Sequence, residues 1–216
     1  MYIYQPEREV LKKAIFDLAP QLGGKVLDIG SGKAMRYKNY FSRATQYLRA
    51  DLDALAEPDV VCSVTEMPFE SNSFDSVVCT QVLGDIPEPE LAAKEIMRVL
   101  KTGGMALITE GMVGSLHSEP RDYWRFTPHG MRYIFEKFGA RVIEVDLVGG
   151  VATASLQMQA SFLIDVFNLY NRPWLGAIAS KMFYILGVVS MFVDDLVYKR
   201  LWPKIGTNVV LLVTKL

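Results

Sequence analysis

The chain has 216 residues, 50% of them hydrophobic and 22% charged, with 23 Lys plus Arg against 24 Asp plus Glu and a net charge of −1. This composition excludes global disorder and offers no electrostatic footprint for nucleic acid. Two cysteines, Cys62 and Cys79, cannot make a disulfide scaffold and read as reduced thiols within strands. The start, MYIYQPEREVLKKAIF, lacks the long apolar run of a secretory signal, so a cytoplasmic protein is expected. Mean hydropathy is nevertheless +0.18, a surplus that needs a location.

Pro6 opens a predicted helix with Val10, Leu11, Ala14, Ile15 and Leu18 on one face, stopped before Pro20. A strand over Lys25–Ile29 breaks at Gly30 and Gly32, and a helix around 34–42 follows. Strands are expected over Gln46–Leu52, Asp59–Val64 and Phe74–Val82, the last buried on both faces because it hardly alternates. Pro87 and Pro89 introduce a helix with Ala92, Ile96, Val99 and Leu100 inward, ended by Gly103-Gly104. Met105–Thr109 is another apolar strand. Thr127-Pro128 reads as N-cap and first turn of a helix running to Gly139, and Arg141–Val148 as a further strand. Strands alternating with helix-length patterns predict a parallel α/β sheet.

Chemistry begins where the first strand meets Asp28-Ile29-Gly30-Ser31-Gly32. Glycines there let a ligand approach the backbone, and the N-terminus of the helix expected to follow favours a negative group. Asp51, at the end of the next strand and 21 residues after Gly30, can accept hydrogen bonds from both hydroxyls of a ribose. Met35 stands where a dinucleotide fingerprint has its third glycine, and Asp28 supplies a carboxylate before the loop. An adenosyl ligand carrying positive charge is favoured over a pyrophosphate. The competing reading makes the glycines a plain turn, and Asp51 and Asp85 helix caps.

Four segments carry a resemblance: VLDIGSG (Val26–Gly32), YLRADLD (Tyr47–Asp53), EMPFESNSFDSVV (Glu66–Val78) and EIMRVLKTGG (Glu95–Gly104). In order and spacing they resemble the motifs of class I S-adenosylmethionine-dependent methyltransferases, in the methyltransferase type 11 group that includes ubiquinone and menaquinone methylases. The resemblance covers residues 24 to about 150. It implies a Rossmann-like, seven-stranded, doubly wound sheet whose last strand is antiparallel, with S-adenosylmethionine as cofactor. Gly30 and Gly32 would face its methionine portion, with Asp28 near the amino group. Asp51 would bind the ribose and Leu52 would pack on adenine. Ser63 and Val64 would stand at the adenine edge, and Gln81 beside the transferred methyl. Serine at 63 replaces the family's usual aspartate. Leu83-Gly84-Asp85 replaces the Leu-Glu-His that often follows the fourth strand.

Glu110 ends the fifth strand, and the following loop, HSEPRDYWRFTPHG (His117–Gly130), emerges where open α/β sheets bind ligands. Its Pro-x-Asp-Tyr-Trp-Arg-Phe-Thr phrase resembles one found in a subset of these methyltransferases. His117 is expected to deprotonate or orient the acceptor, with Tyr123 and Arg125 positioning it. The competing reading is an Asp122–Arg125 ion pair that pins the loop, with Trp124 in the core. The two cysteines and two histidines lack metal-ligand spacing, so no metal site is expected, and no Gly-x-Ser-x-Gly elbow suggests a hydrolase.

The apolar surplus lies in residues 152–206, predicted as a helical insertion before the last strand of a single 1–216 methyltransferase domain. Gln157, Ser161, Asp165 and Asn168 form a narrow polar stripe, and Leu175–Val193 holds one charge, Lys181. Asp194-Asp195, then Lys199, Arg200, Trp202 and Lys204, follow. Thr207–Thr214 reads as the returning strand, which argues against a single membrane crossing. The insertion is expected to be a cap, a homodimer face or a peripheral membrane contact. Replacing Leu175, Phe183 and Phe192 by polar residues is the expected way to abolish vesicle binding. The leading function is methyl transfer to a small-molecule or lipid-like acceptor, with O-, N- and C-methylation open. The alternatives are a non-catalytic, membrane-associated cofactor-binding partner or assembly protein, and another adenosyl-dependent transferase.

Overall fold

The computed structural model describes residues 2–33, 37–198 and 204–216. Its helices are α1 (Pro6–Leu18), α2 (Pro89–Val99), α3 (Pro128–Glu136), α4 (Val151–Val166) and α5 (Pro173–Tyr198). Its strands are β1 (Gly23–Ile29), β2 (Arg43–Asp51), β3 (Val60–Val61), β4 (Phe74–Thr80), β5 (Leu100–Gly111), β6 (Ala140–Val148) and β7 (Asn208–Lys215). One seven-stranded sheet has the order β3-β2-β1-β4-β5-β7-β6, parallel except for the last strand, β7. The doubly wound class and the antiparallel return are as the sequence predicts.

Local chemistry explains the boundaries that moved. α2 stops at Val99 because Leu100 is already extended (φ −71°, ψ 135°), so Gly103-Gly104 lie within β5 and not at a helix end. β3 shrinks to two residues, since Ser63 folds back into an isolated antiparallel bridge with Glu66. In the span predicted as a helix over 34–42, the described residues show one 3-10 turn at Lys38–Tyr40. Met35 lies outside the described residues, as do Lys199, Arg200 and Trp202.

The chain divides into two compact units. The larger holds Ala14–Gly111, His117–Asp146 and Val209–Leu216, and its core is the sheet. Val26, Leu27, Val77, Val78, Leu107 and Leu211 are fully buried there, as expected for strands covered on both faces.

The smaller unit holds Met1–Lys13, Met112–Leu116 and Leu147–Asn208. Of the polar stripe predicted for α4 and the turn after it, Gln157 is buried, Ser161 half-buried, and Asp165 and Asn168 are exposed. On α4 the buried positions are Thr153, Ala154, Gln157, Ala160 and Ile164, so Gln157 is inside while Met158 and Phe162 are exposed. On α5 the inward seam is Gly176, Ser180, Phe183, Gly187, Ser190 and Asp194, spaced four, three, four, three and four residues apart. The N-terminal segment packs on that seam. Tyr4 donates its backbone N–H to Ser180 Oγ (2.9 Å), and its ring meets Tyr184 edge-on at 5.3 Å. Phe183 (1% exposed) belongs to a cluster with Ile3, Tyr4 and Ile164, against which Leu175 packs. Of Leu175, Phe183 and Phe192, therefore, Phe192 alone faces outward, and the triple replacement would empty the unit's own core.

Asp194 explains how the two helices are locked together. Its carboxylate accepts from the backbone N–H of Gly150, Ala152 and Thr153, each at 2.9 Å, capping α4 from a residue more than forty positions away. No side chain of α4's own N-cap residue, Gly150, can do this. Asp194→Ala leaves buried donors without an acceptor and is expected to cost about 1–3 kcal/mol. Urea unfolding against the wild-type chain measures it.

Candidate active site

The parallel register brings the carboxyl ends of four strands to one end of the sheet. Ile29 pairs with Ala50 and Cys79, and Thr80 with Thr109. The glycine turn, Asp51, Gln81 and Glu110 therefore leave the sheet side by side, the usual ligand crevice of open α/β sheets.

The turn is built for close approach. Gly30 (φ +73°) donates its N–H to Ala50 O at 2.8 Å, and a Cβ at this position would stand 2.1 Å from Val82 Cγ2. Gly30 thus lets the segment after β4 close against the turn. Gly32 (φ +59°) has the opposite surroundings: a Cβ there would meet nothing within 4 Å. Its N–H donates to Asp51 Oδ2 at 2.8 Å, while Asp51 Oδ1 accepts from Asp53 N at 2.9 Å. Asp51 is thereby fixed beside open backbone. The cap in this region is Asp53, which accepts from Leu55 N, and not Asp51.

Asp28 is buried and accepts the phenolic hydrogen of Tyr47 at 2.8 Å. Burial pushes its carboxyl up to about 6, against the lowering by the Tyr47 hydrogen bond and the Arg49 charge. The Tyr47 phenol is pushed up in turn, by burial and by the Asp28 carboxylate. A cation reaching Asp28 prefers the ionised carboxylate. Affinity for a cationic adenosyl ligand is thus expected to fall about tenfold per pH unit below about pH 6, and calorimetric titration over pH checks it.

Leu52 is exposed, and Val64 is buried. Ser63 Oγ contacts Thr65 Oγ1 (2.8 Å) and accepts from Thr65 N (3.2 Å). Gln81 adopts φ +58°, donates its N–H to Thr109 O (2.8 Å), and is exposed beyond β4.

His117, Asp122, Arg125 and Asp85 converge on the loop side. Asp122 Oδ2 lies 3.3 Å from His117 Nδ1 and accepts the His117 backbone N–H at 2.9 Å. Asp85 Oδ1, which has no hydrogen-bond partner, lies 3.5 Å from Nε2. The Arg125 guanidinium binds both Asp122 oxygens through Nη1 and Nη2, and Nη2 is also 3.4 Å from His117 Nδ1. That pairing holds Asp122 well below the usual carboxylate range. Burial raises Asp85, the His117 charge opposing it. The predicted ion pair therefore forms, but it frames the histidine and does not exclude it. Trp124 is 47% exposed, outside the core, and donates its indole N–H to Pro87 O at 3.2 Å. Tyr123 is half exposed, and both it and Trp124 donate backbone N–H groups to Gly84 O. Among the described residues, Asp85, His117 and Asp122 also form a group with metal-ligand side chains, but Arg125 already occupies both Asp122 oxygens.

One residue was not singled out by sequence. Glu110 is 4% exposed at the end of β5 and accepts the N–H groups of Val82 (2.6 Å) and Leu83 (2.5 Å). Burial pushes its carboxyl up to about 7 from 4.5, despite those hydrogen bonds. A carboxylate ending an otherwise apolar strand run was the only available signal. Between the unfolded and folded values, the folded chain keeps a proton that the unfolded chain releases. Stability therefore falls as pH rises through that window, by about 3 kcal/mol over its whole width. In Glu110→Gln the fall between about pH 6 and about pH 7 is expected to disappear, and urea unfolding across that range reads it.

A glycine turn with an open Cα, a fixed acid ending the second strand, and the antiparallel seventh strand are the class I S-adenosylmethionine-dependent methyltransferase arrangement. Residues 27–108 match the family described as Methyltransferase domain. The demethylmenaquinone methyltransferase of Clavibacter sepedonicus is 29% identical over 106 residues, 43% of each chain. The ubiquinone/menaquinone biosynthesis C-methyltransferase of Rhizobium meliloti (strain 1021) is 30% identical over 89 residues, 41% of this chain and 29% of its own length. The match thus spans less than half of these relatives. Among solved structures, the [4+2]-cyclase SpnF superposes with TM-score 0.62 at 17% identity, over 94% of this chain and 80% of its own. A SAM-dependent methyltransferase from Archaeoglobus fulgidus gives 0.60 at 13%, over 96% and 94%. Haemonchus contortus phosphoethanolamine N-methyltransferase 2, solved with phosphomonomethylethanolamine and S-adenosylhomocysteine, gives 0.57 at 20%, over 95% and 52%. These likenesses establish the fold. Motifs, strand order and the domain match over residues 27–108 together support a class I S-adenosylmethionine-dependent methyltransferase.

Proposed function

We propose that this chain transfers a methyl group from S-adenosylmethionine to a small, lipid-like acceptor. The observation that carries the proposal is the pairing of two groups at one end of the sheet: the Gly30–Gly32 turn with Asp51, and His117 framed by Asp85 and Asp122. Asp51 is the acceptor for ribose hydroxyls, and the open backbone at Gly32 admits the methionine portion. Asp28 receives the ligand's amino group. Leu52 offers an exposed apolar surface to adenine, with Ser63 and Val64 at its edge. Gln81 stands at the end of β4, on the side of the reacting group. The cofactor, when bound, supplies an electrophilic methyl on a sulfonium.

What remains for the protein is alignment and a proton acceptor. His117 takes the acceptor's proton at Nε2, and the imidazolium so formed is stabilised by the carboxylates of Asp85 and Asp122. Arg125 fixes Asp122, and Tyr123 contributes an exposed ring for the acceptor. The lipid-like class of acceptor is supported by the quinone methylases among the relatives. The non-catalytic alternative is kept in view by Ser63 and Asp85, which stand where the family usually has other residues. Incubating the chain with methyl-labelled S-adenosylmethionine and a bacterial lipid extract decides between them. Label entering the lipid fraction, and lost in His117→Ala, is the expected result. Cofactor binding without any label transfer favours the non-catalytic reading.

A further inference from the structure

The smaller unit is inside out by the standard of a water-soluble helix pair. Apart from the buried Phe183, the inward seam of α5 is made of small and polar residues, Gly176, Ser180, Gly187, Ser190 and Asp194. The opposite side of α5 carries Ile178, Met182, Ile185, Val189, Phe192 and Leu196, all exposed, with Ile185 at 62% and Phe192 at 68%. Tyr184, Leu186 and Val188, off that stripe, are exposed too. At about 100° per residue this apolar arc covers more than half the helix circumference. Met158 and Phe162 of α4 are exposed as well. Small residues between helices and large apolar ones outside are the pattern of packing within lipid.

The width of the arc decides what covers it. A second copy meeting α5 along one seam would cover two positions in seven and leave the flanking Tyr184, Leu186 and Val188 in water. An apolar phase covers them all. Lys181, the single charge between Pro173 and Val193, has a side chain long enough to reach the headgroups. Crossing is excluded by the chain path. β6 and β7, which precede and follow the two helices, are neighbours in one sheet and must stay on the same side. α4, at 16 residues, reaches about 24 Å against a hydrocarbon core of about 30 Å.

We propose that the α4–α5 pair docks in the interfacial layer of a lipid bilayer, lying in it without spanning it. This docking does not depend on the methyl-transfer reading and is tested without activity. The full chain is floated with phosphatidylcholine–phosphatidylglycerol vesicles beside the variant Ile178→Ser/Ile185→Ser/Phe192→Ser, whose three positions lie outside the unit's core. The wild type is expected to float. Each lost apolar contact weakens partition about tenfold, so the triple variant should lose about a thousandfold. A wild-type chain that stays at the bottom, or a variant that floats equally well, overturns the proposal. A second reading leaves the face intact: in Trp124→Phe/Trp202→Phe, Trp174 is the sole tryptophan. Its emission should shift to the blue on vesicles and be quenched most by bromines near the headgroups. No shift, or strongest quenching from the bilayer centre, overturns it.

Discussion

His117→Ala is expected to reduce methyl transfer by about a hundredfold to ten-thousandfold while leaving cofactor affinity within a small factor. The histidine is exposed, so its removal opens no cavity, and the Gly30–Gly32 turn with Asp51 uses none of its atoms. What is lost is the only imidazole standing between Asp85 and Asp122. Asp122→Asn should reproduce part of the loss, because Arg125 would then face a neutral amide and the loop that presents His117 would lose its ion pair. Single-turnover transfer of labelled methyl, with cofactor affinity measured in parallel, separates the two quantities. Unchanged turnover in His117→Ala removes the base assignment and leaves alignment as the protein's sole contribution.

Asp51→Ala is expected to weaken S-adenosylmethionine by about a hundredfold or more. A carboxylate accepting from two hydroxyls makes charge-assisted hydrogen bonds worth about 1.5–3 kcal/mol each. The side chain also fixes the turn, because it accepts from Gly32 and Asp53. Asp51→Asn keeps one acceptor oxygen and should fall between wild type and Ala. Calorimetric titration of the three proteins measures the order. Equal affinities would move the ribose away from the end of β2.

The geometry of the glycine turn and of Asp51 was legible because it is local. Gly30, Gly32 and Asp51 need only a strand, a turn and the end of the next strand, all visible as pattern. Glu110 was not, because its burial depends on the loop after β4 folding over it, which no spacing reports. The insertion misled for a different reason. The polar stripe at Gln157, Ser161, Asp165 and Asn168 does not mark one face, because Gln157 is buried while Asp165 and Asn168 are exposed. Phe183 and Phe192 are equally apolar in sequence, yet one is buried in the unit's core and the other exposed. Only the helix phase set by Tyr4, Ser180 and Asp194 tells them apart. The excess hydropathy is thus an outer surface and not an enlarged core.

The crevice at Asp28, Gly32 and Asp51 is proposed to hold S-adenosylmethionine. Titrating that ligand into the full chain near neutral pH, with Asp51→Ala alongside, tests it most directly. One saturable site in the wild type, lost or strongly weakened in Asp51→Ala, is the predicted result. No saturable binding in the wild type, or the same affinity in both proteins, would contradict it.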